Sequence, residues 1–263
     1  TPLWSTQALI DAPQLVRDVH DAYFAAGAQV ATTATYAILP DRFERVGQNT
    51  DQVIPLTHLA CRLAVEARDA HGAGQVIGAL GPLRESYRPD LCPPADEAAE
   101  TYAPIARVQA DYVDVLVAET MSSVKQARGA LMGLAGLGKP IWLGITVDDD
   151  QPGTLRSGEP LTDLLPLIAE YKPDAVLINC SAPESVSAAL PLLGDLPCPI
   201  GGYANAFTRI TTGSLSPGGT VEHLTARKDI TPDRYADFVD DWIAKGATIV
   251  GGCCEVGPAH IKA

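Results

Sequence analysis

Two adjacent cysteines, Cys253 and Cys254, follow the apolar run Thr248-Ile249-Val250 and two glycines in the segment ATIVGGCCEVG, residues 247–257. A thiolate is both a nucleophile and a soft metal ligand. Zinc takes thiolate sulfurs at about 2.3 Å in a tetrahedron, and a catalytic zinc keeps one position open. Neighbours on a strand point to opposite faces, but where a strand ends and the chain turns, two neighbours can converge on one ion. Gly251 and Gly252 would permit such a kink and leave room for it. The competing readings of the pair are a vicinal disulfide, a metal-free redox couple and the plain burial of small apolar side chains. Glu119 is a second candidate, because it places a charge on the apolar run VDVLVAE (113–119), which is costly without a partner or a function. The histidines show no metal-ligand spacing. His20, His58 and His71 fall on helical patterns, and His223 lies in a polar loop.

Composition narrows the setting. The 263 residues are 46% hydrophobic, enough for one large core, and the net charge is −13. That acidity excludes a phosphate-binding basic face and so argues against nucleic acid or an anionic membrane as a partner. No run of apolar residues is long enough to span a bilayer. The first residues, TPLWSTQALIDAPQ, have neither the basic segment nor the apolar stretch of a secretory signal. Six cysteines without such a signal point to a reducing, cytoplasmic setting in which thiols serve metal or chemistry.

The elements that must position these residues alternate along the chain. Strand-like runs stand at 29–33, 75–80, 113–119, 140–146, 175–180, 199–204 and 248–253, nearly continuous in apolar residues, as parallel strands covered on both faces are. Amphipathic helical patterns occupy 12–27, 51–70, 95–110, 122–138, 161–171, 185–193 and 231–246. The last carries a Thr cap, a Pro at its first helical position and a closing Gly. Two layouts accommodate this alternation: a (β/α)8 barrel of the TIM type and an open doubly wound sheet. Length and strand count favour the barrel, as a single domain over 1–263 whose first strand would precede the opening helix. Residues 206–230 form a polar loop long enough to be functional.

In such barrels the working residues sit at the C-terminal ends of the strands. Those ends carry Thr33, Thr35 and Tyr36, then Glu119 and Thr120, then Asn179 and Cys180, and finally Cys253 and Cys254. Three cysteines thus share one rim, with Cys180 placed to supply a third thiolate. Cys61, Cys92 and Cys198 fall elsewhere and read as buried apolar side chains.

The combination resembles the homocysteine S-methyltransferases. It is carried by Thr33–Tyr36, GPLRESYRP (81–89), Glu119-Thr120, Asn179-Cys180 and Gly251–Cys254, which follow the family's order over nearly the whole chain. The resemblance implies a β/α barrel with zinc held by Cys180, Cys253 and Cys254, and homocysteine's sulfur as the fourth ligand. Glu119 matches the residue that meets the substrate's amino group, with Thr35, Tyr36 and Asn179 beside it as substrate-binding positions. The implied reaction moves a methyl group from a cationic donor to the homocysteine thiolate, giving methionine. S-methylmethionine is the first choice of donor, ahead of S-adenosylmethionine and a betaine. Another thiol or selenol as acceptor, and a zinc- or thiol-binding barrel without turnover, are the alternatives. Two departures stand out. The family's opening strand with Asp-Gly-Gly has no counterpart here, and Ala34 stands where many relatives have Asn.

Overall fold

The computed structural model describes residues 3–208, 210 and 224–263. Most of the 206–230 loop, including His223, lies outside the described residues. The first helices are α1 (Ser5–Asp11) and α2 (Pro13–Ala25), followed by β1 (Val30–Thr32), α3 (Pro40–Arg45), α4 (Val53–His71) and β2 (Gln75–Leu80). Next come α5 (Ala95–Ala110), β3 (Val115–Met121), α6 (Val124–Leu134), β4 (Ile141–Ile145), α7 (Leu165–Tyr171) and β5 (Ala175–Asn179). The chain closes with α8 (Pro183–Ala189), β6 (Ile200–Ala204), α9 (Pro232–Ala244), β7 (Ala247–Gly252) and α10 (Pro258–Lys262).

Among the described residues the seven strands form one parallel sheet in sequence order, with β1 and β7 at its edges. Each strand-like run of the sequence becomes a strand, because an apolar stretch of five or six residues between helices has both faces to bury. On β2 and β3 the faces separate cleanly. Val76, Leu80, Leu116 and Ala118 join the large core beneath the helices, whereas Ile77, Ala79, Val115 and Val117 form a second cluster with Val30 and Trp142 on the opposite face. The sheet is curled. The Tyr203 hydroxyl on β6 donates to Glu119 Oε1 on β3 at 3.0 Å. Side chains stand out from a sheet, so only a concave face brings together strands three places apart.

The helices cover the convex face. In α9 the buried residues Tyr235, Phe238 and Trp242 recur at helical spacing. Its Thr231 cap accepts from the Arg234 amide at 3.3 Å. Tyr235 ties the ends of two strands together, accepting from Ala204 N at 3.1 Å and donating to the Gly251 carbonyl at 2.7 Å. Three short helices, α1, α3 and α10, were not expected from periodicity. The expected helix over 161–171 divides into a 3-10 turn, Leu161–Leu164, and α7.

Candidate metal and substrate site

Three strand ends converge on one concave point, and each leaves its strand by an unusual backbone. At β5 the chain passes through Asn179 into Cys180, which is left-handed at φ 49°. At β3 the register with β4 shifts between Ala118 and Met121, so Glu119 and Thr120 form a bulge, with Thr120 at φ 62°. The sequence reading ended this strand at Glu119; the strand instead continues past the bulge, which re-aims the carboxylate. Beyond β7, residues 253–256 close a turn in which Val256 N donates to the Cys253 carbonyl at 3.2 Å.

That turn brings both Cys253 and Cys254 to the same side. Cys253 N donates to Ala204 O at 2.9 Å, and Ala206 N to Cys254 O at 3.0 Å, which fastens the turn to the end of β6. The expected kink at the two glycines is not where the chain bends, since its left-handed residue is Glu255, at φ 65°. Gly252 serves close approach instead: a Cβ there would overlap the side chain of Val256. At Gly251 a Cβ would meet only ordinary contact, 3.6 Å from Tyr203.

The sulfurs of Cys180, Cys253 and Cys254 all lie within 4.8 Å of one another, with Cys253 and Cys254 at 4.0 Å. Tetrahedral bonds of about 2.3 Å place sulfurs about 3.8 Å apart, so small side-chain rotations bring this set onto one ion. Its electrostatics ask for a cation. Hydrogen bonds from Cys253 and Cys254 hold the Cys180 thiol well below the ordinary thiol range. The same bonds push Cys253 and Cys254 well above it, because a second thiolate must form beside the first. Three thiolates coexist at this depth only if a metal neutralises them. All six cysteines are free, and Cys61, Cys92 and Cys198 lie outside the cluster.

Glu119 is half-buried on the same concave face. Burial pushes its carboxyl up to about 7, against the Tyr203 hydrogen bond, which favours the charged form. Gly144 leaves room for that pair, since a Cβ there would stand 2.9 Å from the Tyr203 hydroxyl. Tyr36 is half-buried, and its hydroxyl meets Ser86 Oγ at 2.8 Å. The remaining two expected substrate contacts are committed within the protein. Thr35 is fully buried and donates to Ala79 O at 2.7 Å. Asn179 accepts from Thr120 N at 3.0 Å and donates to Thr120 Oγ1 at 2.9 Å, which braces the β3 bulge against the end of β5.

Sequence reasoning missed Tyr203 and Arg156, and picked out Tyr87 only as part of GPLRESYRP (81–89). Tyr203 lies near the end of β6, a strand that had been read correctly, but its partner on β3 is set by the curl of the sheet. Tyr87 packs against Cys180 and Ile210, with Cys253 and Cys254 alongside. Arg156 stacks over the Tyr87 ring at 4.9 Å and has no signal in the sequence. The histidines hold other positions. His58 Nδ1 meets the Tyr112 hydroxyl at 3.0 Å, His71 stacks on Phe24, and burial lowers His20 to about 4.

Comparison with known proteins gives the same direction. The family model for homocysteine S-methyltransferase matches residues 1–263. A homocysteine S-methyltransferase of Escherichia coli (strain K12) is 31% identical over 99% of this chain and 86% of its own length. A selenocysteine methyltransferase of Astragalus bisulcatus is 25% identical over 99% of this chain and 84% of its own. The metallated crystal form of the homocysteine methyltransferase MmuM from Escherichia coli superposes with a TM-score of 0.81 at 28% identity, covering 100% of this chain and 87% of that one.

Proposed function

The chain belongs to the homocysteine S-methyltransferase family and is a methyltransferase of that kind, and from that premise we propose the finer chemistry: zinc held by Cys180, Cys253 and Cys254, and a methyl group drawn from a small cationic donor, S-methylmethionine first. The observation that carries this reading is the convergence of three thiols beside a half-buried carboxylate. When bound, zinc supplies Lewis acidity that keeps a coordinating thiol deprotonated near neutral pH.

The chain's own residues do the rest. Glu119 receives the α-ammonium of homocysteine, and the Tyr203 hydroxyl fixes the carboxylate's orientation. Asn179 holds the bulge that aims Glu119, and acts as a brace rather than a substrate contact. Thr35 likewise supports the rim, while Tyr36 lines it. Three thiolates with one divalent ion leave one net negative charge, and the substrate thiolate makes two. Such a site favours a cationic donor over a neutral one. The domain reading that accompanies this is one β/α barrel domain over 1–263, its seven described strands leaving β1 and β7 at open edges. Among the described residues no helix is long and apolar enough to cross a membrane.

A second reading keeps the reaction and changes the acceptor to a selenol or another thiol. Its support is the similarity to a relative named for selenocysteine. One assay separates the two. Zinc-loaded protein is given homocysteine or selenocysteine with S-methylmethionine, S-adenosylmethionine or a betaine, and the methylated products are quantified. Methionine formed fastest from S-methylmethionine is the expected result. Faster methylation of selenocysteine would move the assignment to the second reading, and no product from any sulfonium donor would overturn the donor class.

A further inference from the structure

Cys180 occupies a left-handed conformation that a non-glycine residue keeps only where its surroundings hold it. Backbone bonds to β6 hold it on one side, Cys180 N to the Tyr203 carbonyl at 3.2 Å and Asn205 N to the Ser181 carbonyl at 3.0 Å, and on the other side the contacts come from the segment after β4. There the chain folds back on itself, bridging Val147 to Leu155 and Thr154 to Pro160. The fold-back sets Asp149 and Arg156 beside the turn after β5. Arg156 Nη2 donates to the Cys180 carbonyl at 3.3 Å and to Asp149 Oδ2 at 3.1 Å, while its Nε donates to Thr146 Oγ1 at 2.9 Å. Thr146 Oγ1 in turn donates to the Cys180 carbonyl at 3.2 Å. The next two residues are held from the same segment: Ser181 Oγ accepts from Val147 N at 3.0 Å, and Asp149 Oδ1 accepts from Ala182 N at 2.9 Å.

Both members of the ion pair are largely shielded, with side chains 9% and 15% exposed for Arg156 and Asp149. The guanidinium face also covers the ring of Tyr87, which packs on Cys180. This arginine is therefore not a free cation awaiting a substrate carboxylate. Asp149 neutralises it, and its donors are directed at the backbone and side chains of the turn.

We propose that Arg156 and Asp149 are positioning residues for the metal centre, an ion-paired clamp that holds the Cys180 turn left-handed so that its thiol faces Cys253 and Cys254. The proposal rests on the reading of the three cysteines as metal ligands. Its consequence is that metal affinity depends on two residues that offer the ion no ligand. Groups that orient ligands from outside the coordination shell typically contribute ten- to a hundredfold in affinity.

The test uses Arg156→Met, Arg156→Lys and Asp149→Asn in the whole chain. Zinc affinity is measured by competition with a chromophoric chelator, and the sulfur-to-cobalt charge-transfer absorption is recorded after Co(II) loading. Arg156→Met is expected to bind zinc roughly ten- to a hundredfold more weakly and to lose charge-transfer intensity as Cys180 leaves the coordination sphere. Arg156→Lys keeps the charge but not the fork, and should fall between Met and wild type. Unchanged zinc affinity and cobalt spectrum in Arg156→Met and Asp149→Asn would overturn the clamp, as would a drop in the melting temperature of metal-free protein with both readouts intact. If Arg156→Met does not fold, the two more conservative variants decide by the same criteria. Wild-type protein that takes up no metal would refute the metal-site reading itself and the clamp with it, a result distinct from variants that match a metal-binding wild type.

Discussion

Glu119→Gln keeps the side chain's shape and its capacity to accept from Tyr203, and removes only the charge. In the free site burial pushes the Glu119 carboxyl up to about 7, so the group is part ionised near neutrality. The α-ammonium of homocysteine stabilises the ionised form, and a hydrogen bond to a charged group is worth about 1.5–3 kcal/mol. At 1.36 kcal/mol per pKa unit, substrate binding should lower the carboxyl by roughly one to two units, to about 5–6. The sign follows from linkage. Above about 7 the carboxylate is already charged and affinity is full. As pH falls through 7, affinity drops by up to about tenfold per unit, then levels off below the bound-state value. Titration calorimetry of homocysteine into zinc-loaded wild-type and Glu119→Gln protein across this range measures it. Comparing the two proteins at each pH cancels the contribution of the substrate thiol. The ratio of dissociation constants should be roughly ten- to a hundredfold at pH 8 and should shrink towards one near pH 5. A ratio that stays constant with pH, or no difference at all, would refute the pairing of Glu119 with the ammonium. Loss of zinc in the variant would make Glu119 a support of the metal instead.

Two further outcomes are expected. Reduced protein should carry about one zinc per chain by elemental analysis, and Ser in place of Cys180, Cys253 or Cys254 should each abolish retention through a chelating column; stoichiometric zinc in any of these variants would remove that cysteine from the site. Gly252→Ala should lower stability by about 1–3 kcal/mol in a denaturant titration, because its Cβ would overlap the Val256 side chain, the Val256 Cβ included; an unaffected variant would show that the turn has slack.

Much of the fold was legible because its strands are short apolar runs buried on both faces, a pattern that survives without knowledge of tertiary contacts. QVIGAL, 75–80, appears unchanged as β2. The short helices were not legible for a related reason. Five to seven residues, as in α1, α3 and α10, are too few to display a 3.6-residue period. The cysteine site was legible because thiols at the ends of strands are few and chemically specific. Tyr203 escaped because its role depends on the curl of the sheet, which sets β6 against β3. A curl of that kind is a property of all the strands together.

What no local pattern could give is the backbone at the site, and here the structure separates residue type from residue role. Asn179 precedes a metal-ligand candidate and was grouped with the substrate contacts. Its amide supplies one acceptor and one donor to Thr120. An aspartate in its place would have no donor, and a threonine would be too short to meet both groups. The pairing couples two left-handed residues, Thr120 directly and Cys180 through the chain. The bulge that aims the carboxylate is thereby tied to the strand end from which one thiol projects. The strain at each strand end is then held by contacts from elsewhere in the chain, Asn179 for the bulge and the Asp149–Arg156 pair for the turn after β5. Sequence spacing shows which residues reach the rim; only the long-range hydrogen bonds determine which of them face the substrate and which face one another.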